Sequence, residues 1–147
     1  MKVFLDTNVL ASAATTRGLC ADVLREVFAS QELFISDQVL IELKRVLRLK
    51  FGVSQELIDE FTELLERESI SAQPGELPRI ELRDSDDLGI LGAAISAEAD
   101  VLVTGDQELL ELKRVSNLEV LSPRQFWEKL TAQPQRGGGR KGPRRSR

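Results

Sequence analysis

A chain of 147 residues, 41% apolar and 30% charged, is long enough for one domain with a sizeable core and too apolar to stay disordered. It has no histidine and no tyrosine, which excludes the histidine acid–base chemistry of metal-free ribonucleases, and its single cysteine excludes an intrachain disulfide. No apolar run reaches the roughly 18 residues of a membrane span and no leader pattern precedes Val3, so a soluble, cytoplasmic protein without membrane partners is expected.

The elements alternate along the chain. Lys2–Leu5 reads as a buried strand, residues 18–30 as a helix and Leu33–Ile35 as a short strand. Val39, Leu40, Leu43, Val46 and Leu47 recur at helical spacing and predict a helix over Gln38–Lys50. Gly52 ends it, Ser54 is an N-cap candidate, and Leu57, Ile58, Phe61, Leu64 and Leu65 make the next amphipathic helix. Residues 69–83, with Pro74, Gly75 and Pro78, read as a short strand and a loop. A helix over Ser85–Glu98, a strand over Val101–Val103, a short helix over Gln107–Leu112 and a strand over Leu118–Leu121 follow. Ser122-Pro123-Arg124-Gln125 then matches a capping box that starts a helix through Trp127 and Leu130. Strands separated by helices imply a largely parallel sheet with helices on both faces, an α/β class.

The net charge of −4 hides two zones. Residues 132–147 carry Arg136, Arg140, Lys141, Arg144, Arg145 and Arg147 with no acid, which leaves residues 1–131 strongly acidic. The first zone reads as the folded domain and the second as a disordered Gly/Arg-rich tail, suited either to weak capture of phosphate backbones or to solubility alone.

The acids are placed unevenly. Asp6 and Asp106 follow strands and precede helices, where aspartate commonly caps the helix. At the carboxyl ends of parallel strands such residues also line the ligand crevice. Glu42 shares a helical face with Val39, Leu43 and Val46, where it is costly to bury unless paired, for example with Arg45 or Arg83, or metal-bound. Asp84 suits the N-cap of the helix that follows; Asp87 then lies on the stripe of Ile90, Leu91, Ala94 and Ile95, and Asp86 projects about 100° away. Two carboxylates about 5 Å apart repel by roughly 3 kcal/mol at an effective dielectric of 20, so a convergent cluster calls for a cation. Hard oxygen ligands without histidine or cysteine favour Mg2+ or Mn2+.

Taken together, Val3-Phe4-Leu5-Asp6-Thr7-Asn8-Val9-Leu10, Ser36-Asp37-Gln38-Val39-Leu40-Ile41-Glu42-Leu43, Arg83-Asp84-Ser85-Asp86-Asp87, Leu102-Val103-Thr104-Gly105-Asp106 and Leu121-Ser122-Pro123-Arg124-Gln125-Phe126 resemble the PIN-domain family. The likeness covers residues 1 to about 130 and is greatest to the bacterial VapC-like toxins of toxin–antitoxin pairs. It implies a three-layer α/β/α sandwich and a metal-dependent ribonuclease. The family's acidic quartet falls on Asp6, Glu42, Asp87 and Asp106, and its polar helpers on Asn8 and Thr104. Leu88-Gly89 departs from the polar residue common after the third acid, which leaves Asp84 and Asp86 as alternatives to Asp87 and suggests a helix start that is loose or packed closely on the sheet.

The expected chemistry is phosphodiester hydrolysis, with Asp6, Asp87 and Asp106 holding one or two Mg2+ or Mn2+ ions and Glu42 completing the site. Lys44, Arg45 and Arg48, on the Glu42 helix, are candidates for RNA contact, although a solvated face is their bland reading. The resemblance implies a small antitoxin, which would place an arginine or lysine in the acidic crevice, and a homodimer. A phosphotransferase of the haloacid dehalogenase type is a poor rival because Asn8 stands where it needs a second acid. A noncatalytic RNA- or protein-binding module is the stronger alternative.

Overall fold

The computed structural model of the chain describes residues 1–132. Its elements are β1 (Lys2–Leu5), α1 (Thr7–Thr15), α2 (Leu19–Ser30), β2 (Glu32–Ser36), α3 (Asp37–Leu49), α4 (Gln55–Glu68), β3 (Ser69–Ala72), α5 (Ser85–Ser96), β4 (Val101–Val103), α6 (Gln107–Leu112), β5 (Arg114–Val115), β6 (Leu118–Leu121) and α7 (Pro123–Ala132). Apart from Ala132, the basic tail expected at 132–147 lies outside the described residues.

The strands form one sheet in the order β3-β2-β1-β4-β6-β5, parallel except for the β5–β6 pair at one edge. Helices flank this sheet, as an α/β/α sandwich requires. Val3, Phe4 and Leu5 on β1 and Val101, Leu102 and Val103 on β4 are almost wholly buried, as expected of strands covered on both faces. Each fully buried leucine or phenylalanine stabilises the fold by roughly 1.5–3 kcal/mol.

The order of the strands decides where a site can form. From β1 the chain moves outward through β2 to β3, then returns to lay β4 on the other side of β1 and moves outward again to β6. The carboxyl ends of β1 and β4 therefore flank the point where the winding reverses, the usual ligand crevice of an open parallel sheet. Val3 pairs with Val101 and Leu5 with Val103, so the two strands end level.

Several local signals act as their chemistry dictates. Ser54 Oγ accepts from the Leu57 amide at 3.3 Å, and Ser122 and Gln125 close a reciprocal capping box at 3.1 and 2.9 Å. A Cβ at Gly89 would lie 2.4 Å from Gln38 Oε1, so its near neighbour is a side chain of α3. Gly75 is tighter still, since its Cβ would stand 2.4 Å from the Gly92 carbonyl oxygen on α5.

Candidate functional site

Asp6, Glu42, Asp84, Asp86, Asp87 and Asp106 line one cleft of about 430 Å³, together with Thr7, Asn8, Gln38, Ile41 and Ile90. Among the described residues, no lysine or arginine lines it.

Asp6 extends β1, its amide donating to the Val103 carbonyl at 3.0 Å. Its carboxylate is buried, with Oδ1 accepting from the Thr7 amide at 2.7 Å and Oδ2 from the Thr104 hydroxyl at 2.6 Å. Thr104 is fully buried, and its Oγ1 in turn accepts from the Asp106 amide at 3.0 Å. One hydroxyl thus joins the two strand-end aspartates. Asp106 Oδ1 caps α6 through the Leu109 amide at 3.0 Å. Capping and cleft-lining are therefore performed by the same two residues.

Asp84 is the N-cap of α5, accepting from the Asp86 amide at 2.9 Å, which sets Asp87 one turn in. Asp84 and Asp86 are exposed, whereas Asp87 is 8% exposed and its Oδ2 has no hydrogen-bond partner. Thr7 Oγ1 is also buried without a partner. Such orphaned atoms are rare because each costs about 1–3 kcal/mol, and they commonly mark a site for water or an ion.

The carboxylates share one electrostatic environment. Burial pushes the Asp87 pKa up to about 7, with further increments from Asp106, Asp6, Asp84 and Glu108. Asp6 is also raised, chiefly by burial. The Thr104 and Thr7 hydrogen bonds oppose that rise, and repulsion from Asp106 and Asp84 adds to it. Asp106 and Asp84 therefore act on both acids.

Two placements differ from a simple quartet. Glu42 lines the cleft from α3, but its carboxylate meets the Arg45 guanidinium at 3.2 and 3.3 Å. With Glu42 and Arg45 side chains 41% and 60% exposed, the pair contributes little and is easily exchanged for another partner. Among the described residues, one carboxylate oxygen each from Asp87, Asp106 and Glu108 lie within 4.8 Å of one another. Glu108 went unnoticed in the sequence because an acid in the first turn of a helix ordinarily complements the dipole. Its spacing of two residues from Asp106 was the available signal. Gln38 was missed too; its Nε2 donates to the Asp86 carbonyl at 2.8 Å. Lys44 and Arg48 are exposed on α3, and Asn8 is exposed at the cleft.

The PIN-domain family model matches residues 2–108, the span that carries all of these acids. The chain belongs to the PIN-domain family. Its fold is similar to a chain of VapBC-1 from nontypeable Haemophilus influenzae (TM-score 0.59, 22% identity, 84% of this chain and 99% of that one). It is also similar to a chain of VapBC2 from Rickettsia felis bound to a DNA fragment from their promoter (TM-score 0.58, 19% identity, 82% and 97%). No curated protein matches the sequence. Among the described residues, no helix of this PIN domain is long and apolar enough to cross a membrane.

Proposed function

We propose that this PIN domain is a metal-dependent ribonuclease, the VapC-like toxin of a toxin–antitoxin pair, that hydrolyses RNA phosphodiester bonds using Mg2+ or Mn2+. The observation that carries the reading is a cleft lined by Asp6, Asp87 and Asp106 and, among the described residues, by no lysine or arginine, in which carboxylate oxygens of Asp87 and Asp106 lie within 4.8 Å of each other and a buried oxygen of Asp87 lacks any partner. This donor set of hard carboxylate oxygens fits one or two divalent ions, which would be held by Asp6, Asp87 and Asp106. A bound ion supplies positive charge to the phosphate and lowers the pKa of water.

The chain's own residues prepare that chemistry. Thr104 and the Thr7 amide fix the Asp6 carboxylate, leaving its orientation independent of solvent. Asp106 is oriented by its own cap at Leu109. Glu42, once released from Arg45, orients water at the opposite wall, and Asn8 offers an amide to the phosphate. Exposed Lys44 and Arg48, with Arg45, supply backbone contacts that offset the repulsion between an acidic body and a polyanion.

The proposed protein partners have a surface to use. Leu47, Phe51, Val53, Leu57, Phe61 and Leu64 line an apolar groove of about 770 Å³, with Phe51 and Leu57 exposed. The two solved structures named above are of VapBC, which supports an antitoxin contact, and a homodimer would draw on the same helices. Expression with its genomic neighbour should yield a stable complex, and recovery of the chain alone would count against the antitoxin.

The decisive experiment incubates wild-type and Asp106→Asn proteins with transfer, ribosomal and messenger RNAs plus Mn2+. Because loss of an outer partner alone costs about 10–100-fold, loss of a ligand should slow cleavage by more than about 100-fold. Equal rates would overturn the reading, and no cleavage by either protein would favour a noncatalytic binding module.

A further inference from the structure

Between β3 and α5 the chain runs through residues 73–84 without regular structure. Among the described residues, no backbone–backbone hydrogen bond involves residues 73–83. The segment nevertheless delivers Asp84, Asp86 and Asp87 to the cleft, so something must fix where it ends. Gly75 lies against the Gly92 carbonyl and Leu82 packs partly on the core, but neither contact orients the last residues before the helix.

The Arg83 amide does have an acceptor. It donates to both carboxylate oxygens of Glu108, at 3.1 and 3.2 Å, across 25 positions of sequence. The Arg83 side chain adds only a 3.7 Å ion pair from a guanidinium that is 90% exposed, whereas Glu108 is 25% exposed. The amide contact is therefore the stronger part of this pair. On the other flank, Gln38 of α3 holds the Asp86 carbonyl. The start of α5 is thus tied to α6 on one side and to α3 on the other.

We propose that Glu108 is a positioning residue: by accepting the Arg83 amide it fastens the segment entering α5 to α6, and so sets Asp87 against Asp106. Its closeness to both acids follows from this fastening. The consequence for metal affinity rests on the ribonuclease reading above; the fastening itself does not.

Two substitutions isolate the effect. Glu108→Gln and Glu108→Ala remove the same charge, but only glutamine keeps an oxygen for the Arg83 amide. Hydrogen exchange of the metal-free full chain is the primary measurement, with amides of β4 and the second half of α5 as internal controls for folding. Exchange at residues 83–87 should accelerate about tenfold in Glu108→Ala and stay within about threefold of wild type in Glu108→Gln. Mn2+ binding by calorimetry should then be about tenfold weaker in Glu108→Ala than in Glu108→Gln. Equal acceleration in both variants, or none in Glu108→Ala, would overturn the proposal. Asp87→Asn separates the two ideas. If it binds Mn2+ like wild type, the metal reading fails, while the exchange data still decide the role of Glu108.

Discussion

Asp87 is held in the folded chain with a pKa of about 7 against 3.8 for a free aspartate, so the folded state binds its proton more tightly than the unfolded state does. This contribution to stability is complete below about pH 4, declines as pH rises and is lost by about pH 7. The full shift corresponds to at most about 4 kcal/mol, and solvent at the cleft mouth reduces it to roughly 2 kcal/mol. Without metal, Asp87→Asn should therefore unfold at progressively higher urea than wild type from pH 4 to pH 7, with the gap constant above. A gap independent of pH would contradict the raised value. Thr104 acts in the opposite direction, since its hydroxyl favours the charged form of Asp6. Thr104→Val leaves Asp6 Oδ2 and the Asp106 amide without this partner, and should cost about 2–3 kcal/mol in chemical denaturation. Serine at this position should restore most of the loss.

At the level of elements, the joint between the 73–84 segment and α5 depends on two glycines. Alanine at Gly75 would place its Cβ 2.4 Å from the Gly92 carbonyl oxygen and 2.6 Å from Ser96 Cβ, so backbone must move. Gly75→Ala should destabilise the fold by about 1–3 kcal/mol, read from the denaturation midpoint. Alanine at Gly105, with nothing within 4 Å of the added carbon, is the control and should leave the midpoint nearly unchanged. Most elements were legible in the sequence for simple reasons. β1 and β4 are short apolar runs bounded by polar residues, β6 alternates buried Leu118 and Val120 with Glu119, and α3 and α4 each carry an apolar stripe at helical spacing. The extent of α1 was not legible, because its small residues and threonines give no clear stripe although Thr7, Val9, Leu10 and Ala11 are buried. Nor was β5, two residues long and turned back without glycine through Ser116 at φ 57. The same contrast holds in the cleft. Asp6 and Asp106 could be placed because strand ends are readable, whereas the Glu108 contact runs to a main-chain amide, which no residue identity at Arg83 encodes.

Across the whole molecule, an ion held by the gathered carboxylates, as proposed, would make folding and ion binding interdependent. A ligand at about 100 times its dissociation constant stabilises the folded state by about 2.7 kcal/mol. For a domain of this size that is roughly 8–10 °C of thermal midpoint. Mn2+ should raise the melting temperature by about this amount at pH 8, a chelator should reverse it, and Asp87→Asn should show little response. A midpoint indifferent to Mn2+ in the wild-type chain would argue against an ion in the cleft. Salt provides the complementary check. RNA affinity should weaken steeply with ionic strength, and replacing both Lys44 and Arg48 by alanine should flatten that dependence.

Because β1 and β4 are bonded level with each other, the shelf that bears Asp6 and Asp106 behaves like the fixed jaw of a vice. Neighbouring strands stand about 4.8 Å apart, and the shelf cannot widen without tearing its ladder. The opposing jaw, Asp87, rides on a helix whose beginning is held at its flanks by the side chains of Glu108 and Gln38 and by no strand ladder. Swapping Mg2+, with bonds near 2.1 Å, for Ca2+, near 2.4 Å, should therefore displace the first turn of α5 while the strand ends keep their places. Crystals grown with each ion would show it, and a shift shared equally by both jaws would show that the sheet gives as readily as the helix.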